Sequence, residues 1–136
     1  MTMHALGLAV LIIRTTGILA PMQQTPPAII TPAEVQTLME GDSSYVLLDV
    51  RRQEEFDGPS GHLRGALLIP LQELKQRLAE LSPLKQKTII AVCRSGNRSG
   101  VATTILREHG FAALNMVGGM VRWHTEGRTV SHTGNP

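Results

Sequence analysis

The sequence has little of what stabilises small disulfide-rich domains or marks a nucleic-acid-binding surface. Its 136 residues include a single cysteine, which excludes an internal disulfide framework and a cysteine-based zinc cluster. Aromatic residues make up only 3%, so leucine, isoleucine, valine and methionine must fill the core. The net charge is only +2 and the basic residues are scattered, which argues against a nucleic-acid partner. The five histidines are scattered too, and we predict neither a metal site nor a cofactor.

The N-terminal stretch lacks an apolar run long enough to cross a membrane. Residues 5–13 are continuously apolar, but a bilayer-spanning helix needs roughly 20 such residues. The stretch also lacks the basic segment that precedes the core of a signal peptide. Three interpretations remain: a weak export signal or membrane anchor through residues 5–20, an apolar arm packed on the domain or a partner, and an upstream extension with Met22 as the true start. We favour the last two, and with them a cytoplasmic location.

The length is that of one domain with a sizeable core. We expect an apolar extension and a proline-rich linker over residues 1–27, a folded domain over 28–130 and a flexible polar tail over 131–136.

Apolar strand-like segments alternate with helical patterns through the domain. Thr31, Pro32 and Glu34 predict a helix start with a capping box. Leucines at 71, 74, 78 and 81 predict one amphipathic helix after Pro70. Such alternation is typical of an α/β fold, with a parallel sheet covered by helices on both faces. The five predicted strands are 28–30, 45–50, 66–69, 87–92 and 113–117.

The only cysteine follows the fourth predicted strand, where open α/β sheets bind their ligands. A short loop containing Gly96 leads from Cys93 into a helix predicted over residues 99–109. Such a loop turns several backbone N–H groups inward and makes an anion cradle, with Arg94 and Arg98 at its rim. A thiol there should ionise below its free pKa of roughly 8.5. A lone cysteine is more often a small buried apolar residue, but its position in a polar loop favours a nucleophile.

Four blocks of the chain resemble the rhodanese family of persulfide-forming sulfurtransferases. The segment 93–98, Cys-Arg-Ser-Gly-Asn-Arg, is similar to the six-residue active-site loop of that family. Residues 47–51, 55–56 and 61–66 resemble its N-terminal signature, and 118–119 with Trp123 and Gly127 resemble its C-terminal one. The resemblance runs from about Pro32 to Gly127. It implies a small five-stranded parallel sheet, and Cys93 as the catalytic nucleophile.

The resemblance and the loop chemistry together suggest a role for each loop residue. We expect the substrate or the persulfide to be bound by the loop from Arg94 to Ser99, which comprises Arg94, Ser95, Gly96, Asn97, Arg98 and Ser99. Glycine at position 96 permits a positive φ in a tight loop. We expect the Ser99 side chain to cap the following helix rather than act on substrate.

Residues outside the loop are expected to support it. Asp49 and Arg51 end the neighbouring strand and could brace the active loop, although a surface salt bridge is nearly as plausible. His62 could be taken for a general base, but a packing role is the better interpretation. Glu55 is also expected to be structural. Trp123 should belong to the core or to the wall of a pocket.

The expected activity transfers sulfane sulfur from thiosulfate or a similar small donor to cyanide or a thiol, with thioredoxin or a sulfur-carrier protein as further candidate acceptors. Two alternatives remain: a phosphatase or arsenate reductase of related fold, and a rhodanese-like module that only carries persulfide or binds partners. The phosphatase-type relatives have a loop one residue longer, and the shorter cradle suits sulfur better than phosphate. Modules that only bind partners usually lose the cysteine.

Overall fold

The computed structural model describes residues 28–134 and contains one five-stranded sheet, as expected. The strands are β1 (Ile29–Ile30), β2 (Tyr45–Asp49), β3 (Leu67–Leu68), β4 (Thr88–Val92) and β5 (Ala113–Met116). Every neighbouring pair is parallel, and the order across the sheet is β1-β5-β4-β2-β3. The strand that precedes the cysteine is therefore central. The helices are α1 (Pro32–Gly41), α2 (Gln53–Phe56), α3 (Leu71–Leu74), α4 (Leu78–Leu81), α5 (Asn97–Glu108) and α6 (Gly119–Thr125).

The start of α1 is encoded locally, and the predicted capping box is confirmed. The Thr31 hydroxyl accepts from the Glu34 amide at 3.3 Å. The Glu34 carboxylate accepts from the Thr31 amide at 2.8 Å. Two backbone N–H groups at this helix end, which have no partner inside the helix, are thus satisfied by side chains within a four-residue segment. This is why the capping box could be predicted from the sequence.

The single helix predicted after Pro70 is wrong in one respect. The chain forms two short α-helices, α3 and α4, with a 3₁₀ turn at Lys75–Arg77 between them and a second at Ser82–Leu84. Leu74 and Leu81 are nonetheless fully buried, and Leu71 and Leu78 pack against the same core. Leucine spacing shows which side of a segment faces the core, and this side persists when one turn tightens from α to 3₁₀ geometry.

Two apolar clusters fill the two faces of the sheet. Alternate residues of β4 point to opposite faces, so Ile89 and Ala91 belong to one cluster and Ile90 and Val92 to the other. The first cluster packs under α3, α4 and α5, and the second packs under α1 and α6. Helices therefore cover both faces, and the buried central strand holds the position of the loop that follows it.

The C-terminal part of the domain extends beyond the predicted boundary at residue 130. Ser131 and His62 form an isolated antiparallel bridge with backbone hydrogen bonds of 2.8 and 2.9 Å. These two hydrogen bonds hold Ser131 to the folded domain, and the predicted frayed tail does not begin at this residue. The prediction missed the bridge because His62 lies far away in the sequence. The predictions for residues 1–27 lie outside the described residues. Within residues 28–134, no helix is long and apolar enough to cross a membrane.

Candidate active site

The Cys93 sulfur lies at the carboxyl end of β4, inside the loop that leads to α5. The residue is only 1% exposed. Its Sγ accepts a hydrogen bond from the Gly96 amide at 3.1 Å and contacts the Ser99 hydroxyl at 3.2 Å. The loop therefore surrounds the sulfur with polar hydrogens, as the predicted anion cradle requires.

The surroundings of the sulfur have opposing effects on its ionisation. Burial raises the pKa of the Cys93 thiol, whereas the Ser99 hydroxyl and the amides of Ser99, Gly96 and Ser95 lower that pKa. The lowering effects prevail, so the pKa lies below the ordinary value, as predicted. The dominant favourable contribution comes from hydrogen bonds to the charged form rather than from the arginine side chains.

The helix that follows the loop begins two residues earlier than predicted. Gly96 is its N-cap, with a left-handed backbone at φ 99°, and α5 starts at Asn97. The predicted capping role of Ser99 is therefore wrong. Ser99 is the third residue of the helix, is fully buried and points its hydroxyl at Cys93. The predicted positive φ at Gly96 is confirmed.

Asn115 of β5 belongs to the candidate site, although the sequence analysis did not identify it. Its side-chain oxygen accepts from the Ser99 hydroxyl at 2.6 Å, and its side-chain nitrogen donates to the Gly96 carbonyl at 3.1 Å. A polar residue in an otherwise apolar strand, one strand away from the cysteine, is the only sequence signal that could have suggested it.

The N-terminal end of α6 is hydrogen-bonded to the loop that carries Cys93. The amides of Met120 and Val121 donate to the carbonyls of Cys93 and Arg94, both at 2.9 Å. Gly119 permits this approach, because a Cβ at that position would lie 2.4 Å from the Cys93 carbonyl oxygen. Its φ of 55° adds a second reason for glycine there.

The two loop arginines have different surroundings. Arg98 makes a bidentate pair with Glu55, with both N···O distances at 2.7 Å. This pairing lowers the pKa of the Glu55 carboxyl to about 2, because the hydrogen bond from Arg98 favours the charged form. Arg94 is exposed, and its side chain forms no hydrogen bond or ion pair with residues 28–134. The exposed members of the loop also include Ser95 and Asn97.

Asp49 and Arg51 form a buried ion pair, so the alternative of a surface salt bridge is wrong. Both residues are at most 1% exposed, and the closest N···O distance is 2.7 Å. Arg51 also donates to the carbonyls of Gly61 and Glu55 and to the Ser60 hydroxyl. The pair therefore holds the segment that carries Glu55, and it reaches the active loop through Glu55 and Arg98.

His62 and Trp123 have structural surroundings, in agreement with their interpretation from sequence. The His62 ring stacks on Phe56 with centroids 3.8 Å apart, and its Nδ1 lies 3.0 Å from the Phe56 carbonyl oxygen. Trp123 is 2% exposed, donates to the Thr129 carbonyl and lines a cavity of about 570 Å³. No loop residue lines that cavity.

A second cavity, of about 480 Å³, lies beside the candidate site and is lined by Arg98. Glu55, Arg52 and Leu71 also face it. Within residues 28–134, no group of three or more potential metal-ligating side chains is close enough to hold an ion.

The chain matches one family model and is similar to several known proteins. The family model of the rhodanese-like domain matches residues 31–126. Thiosulfate sulfurtransferase PspE of Escherichia coli is 38% identical over 73 residues, which cover 54% of this chain and 68% of PspE. YtwF of Bacillus subtilis, provisionally named a sulfurtransferase, is 33% identical over 71% of this chain and 90% of its own length.

Other relatives are longer or are known from their structures. YrkF of Bacillus subtilis, provisionally named a sulfur carrier protein, is 36% identical over 62% of this chain, but the match spans only 44% of YrkF. A rhodanese-related protein from Thermoplasma volcanium superposes with a TM-score of 0.68 at 28% identity, over 76% of this chain and 96% of that protein. The family model covers well over half of the chain. The chain therefore belongs to the rhodanese-like domain family.

Proposed function

We propose that the protein is a sulfurtransferase that moves sulfane sulfur from thiosulfate or a similar donor to cyanide or a thiol through a persulfide on Cys93. The observation that carries the proposal is the hydrogen-bonding of the Cys93 sulfur by the Gly96 amide and the Ser99 hydroxyl, which lowers its pKa. A stabilised thiolate at a strand end is the nucleophile that this chemistry needs. The name of the relative PspE supports thiosulfate as the donor.

The proposed reaction has two displacement steps. The Cys93 thiolate attacks the outer sulfur of thiosulfate, the sulfur–sulfur bond of thiosulfate breaks, and sulfite leaves with the bonding electrons. The acceptor then attacks the outer sulfur of the persulfide and forms thiocyanate or a new persulfide, and the Cys93 thiolate is regenerated. The acceptor must come from outside, because the chain has no second cysteine to resolve the persulfide.

The burial of Cys93 favours small donors. With only 1% of the residue exposed, a bulky donor cannot approach the sulfur in this loop conformation. The added sulfur extends the reactive atom by about 2 Å, the length of a sulfur–sulfur bond. A larger acceptor, such as thioredoxin or a sulfur-carrier protein, would have to reach this outer sulfur in the second step.

Charge at the loop mouth supports an anionic donor. Arg94 is exposed and has no acidic partner within residues 28–134, whereas the charge of Arg98 is balanced by Glu55. We infer that Arg94 makes the larger contribution to attracting the sulfonate end of thiosulfate. The loop amides and Ser99 hold the sulfur, and Arg98 shapes the cavity beside it.

The alternative of a phosphatase or arsenate reductase is less well supported. In those enzymes a loop arginine binds the oxyanion, whereas Arg98 already donates two hydrogen bonds to Glu55. The loop also has one residue fewer than that of the phosphatase-type relatives. Measuring hydrolysis of an aryl phosphate and reduction of arsenate would test this alternative directly.

The central experiment compares the wild-type protein with Cys93→Ser. With thiosulfate and cyanide, the wild type should produce thiocyanate and sulfite, and the variant should produce none. With thiosulfate alone, the intact mass of the wild type should increase by about 32 Da, one sulfur atom, and a thiol reductant should reverse the gain. Undiminished thiocyanate formation by Cys93→Ser would refute the proposal.

A further inference from the structure

The Ser99 hydroxyl lies between two acceptors. Its Oγ is 3.2 Å from the Cys93 sulfur and 2.6 Å from the side-chain oxygen of Asn115. A hydroxyl has one hydrogen to donate, so it cannot serve both acceptors at once. Ser99 is fully buried, so its hydroxyl faces only groups of the protein. The Cys93 sulfur therefore receives a hydrogen bond from Ser99 only when this hydrogen points away from Asn115.

The orientation of the Asn115 amide is determined by its second contact. The side-chain nitrogen donates to the Gly96 carbonyl at 3.1 Å. A flipped amide would place an oxygen against that carbonyl oxygen and an N–H₂ group against Ser99. Asn115 is itself held in register in β5, opposite Ala91 of β4 and Ile29 of β1. Its oxygen is thus a fixed acceptor for the Ser99 hydroxyl.

We propose that Asn115 is a positioning residue that controls whether the Ser99 hydroxyl donates to the sulfur of Cys93 or away from it. While the sulfur is protonated, the hydroxyl donates to Asn115 and the S–H group donates to the Ser99 oxygen. When the sulfur gives its proton to a base in solution, the hydroxyl rotates and donates to the thiolate. Asn115 then loses its donor. The inference rests on the proposed function, since it concerns the nucleophile of that reaction.

This arrangement makes Asn115 favour the thiol over the thiolate. Its loss should therefore lower the pKa of Cys93, whereas loss of the Ser99 hydroxyl should raise it. A thiolate of very low pKa is a weak nucleophile, so a competing acceptor preserves reactivity toward the donor. The charged groups on the surrounding elements are the same in the wild type and in the alanine variants. They are the Asp49–Arg51 pair at the end of β2, the Glu55–Arg98 pair between α2 and the loop, and Arg94.

The test is a double-mutant cycle read from the pH dependence of Cys93 alkylation by iodoacetamide. Ser99→Ala should raise the midpoint by about one pH unit, and Asn115→Ala should lower it by about half a unit. In the Ser99→Ala background, Asn115→Ala should leave the midpoint unchanged, because no hydroxyl remains to be directed. Thr104→Ala is the matched control, since the Thr104 hydroxyl donates to the Gly100 carbonyl on the exposed side of α5 and should not shift the midpoint.

Equal shifts from Asn115→Ala in both backgrounds would overturn the proposal, because Asn115 would then act through the Gly96 carbonyl alone. An unchanged or raised midpoint in Asn115→Ala would overturn it as well. If Asn115→Ala fails to fold by circular dichroism, the isosteric Asn115→Asp takes its place. Its carboxylate should raise the midpoint more with Ser99 present than without it, and equal increases would contradict the proposal. Alkylation needs no sulfur donor, so a wild type without sulfurtransferase activity would refute the proposed function and leave this cycle interpretable.

Discussion

At the scale of single residues, we expect the two loop arginines to make separable contributions to substrate binding. Arg94 is exposed and without an ionic partner among residues 28–134, whereas Arg98 is held by Glu55. We predict that Arg94→Ala raises KM for thiosulfate by about 10-fold and changes kcat little, because it removes a charge-assisted contact to the anion. Arg98→Ala should raise KM less, since its charge is already balanced.

Steady-state kinetics with thiosulfate and cyanide provide the measurement. Arg77→Ala is the control, because Arg77 pairs with Glu73 and Glu80 away from the loop and its loss should leave KM unchanged. A larger KM effect from Arg98→Ala than from Arg94→Ala would contradict the assignment.

The second prediction concerns how the Glu55 carboxylate contributes to the free energy of unfolding at different pH values. Its pKa is about 2 in the folded protein, against an ordinary value of 4.5, chiefly because of the Arg98 hydrogen bond. A depressed pKa adds stability above the unfolded-state value, and this stability is lost as the pH falls toward the folded-state value. We predict that Glu55→Gln lowers the free energy of unfolding by about 1 kcal/mol at pH 7.

The difference between wild type and Glu55→Gln should shrink as the pH falls from about 4.5 to about 2. Urea denaturation at a series of pH values measures it. A difference that stays constant through this range would mean that the ion pair does not stabilise the fold.

At the scale of elements, the conformation of the loop that carries Cys93 depends on the close approach of α6. Because a Cβ at Gly119 would lie 2.4 Å from the Cys93 carbonyl oxygen and 2.6 Å from the Arg94 carbonyl carbon and oxygen, the loop or the helix must move if one is added. We predict that Gly119→Ala destabilises the protein by more than about 2 kcal/mol and lowers alkylation and sulfur transfer together.

Gly127→Ala is the control that measures the effect of a positive φ alone, without a steric clash. Gly127 also has a positive φ, 71°, but an added Cβ there meets no atom within 4 Å. Its substitution should cost about 1 kcal/mol and spare activity. Thermal unfolding and alkylation rates provide the comparison. Equal effects at the two positions would show that the contact between α6 and the loop is unimportant.

At the scale of the whole molecule, the two apolar clusters share one sheet and should unfold together. Leu74 is fully buried in the cluster under α3, α4 and α5, whereas Trp123, the only tryptophan, lies in the other. We predict that Leu74→Ala lowers the free energy of unfolding by about 2–5 kcal/mol. Tryptophan fluorescence and far-UV circular dichroism should move to the same new midpoint.

Leu67→Ala is the matched control, because Leu67 is 42% exposed on the edge strand β3. It should cost less than about 1 kcal/mol. A fluorescence midpoint that stays in place while circular dichroism shifts would mean that the two faces unfold independently.

Much of the fold and part of the site could be predicted from the sequence, because the responsible interactions are local. The five strands, the capping box of α1 and the positive φ of Gly96 each depend on a few adjacent residues. The lowered pKa of Cys93 belongs to this group as well, since its hydrogen-bond donors lie within six residues of it. Backbone propensity and hydrophobic period are properties of short segments, so they are visible before folding.

The tertiary structure alone decided which polar side chains meet. The Arg98–Glu55 pair joins residues 43 apart, and the Ser99–Asn115 contact joins residues 16 apart. The local pattern indicated Ser99 as a helix cap, but the early start of α5 turned its hydroxyl toward the sulfur instead. These contacts form only when the parallel strands lie side by side. A buried polar group needs a hydrogen-bond partner, and it pairs with the nearest one that the packing provides. Neither of these two contacts is visible in the pattern of a single segment. The sequence by itself therefore determined the sheet and the loop that carries Cys93, and the packing of that sheet decided the partners of the loop.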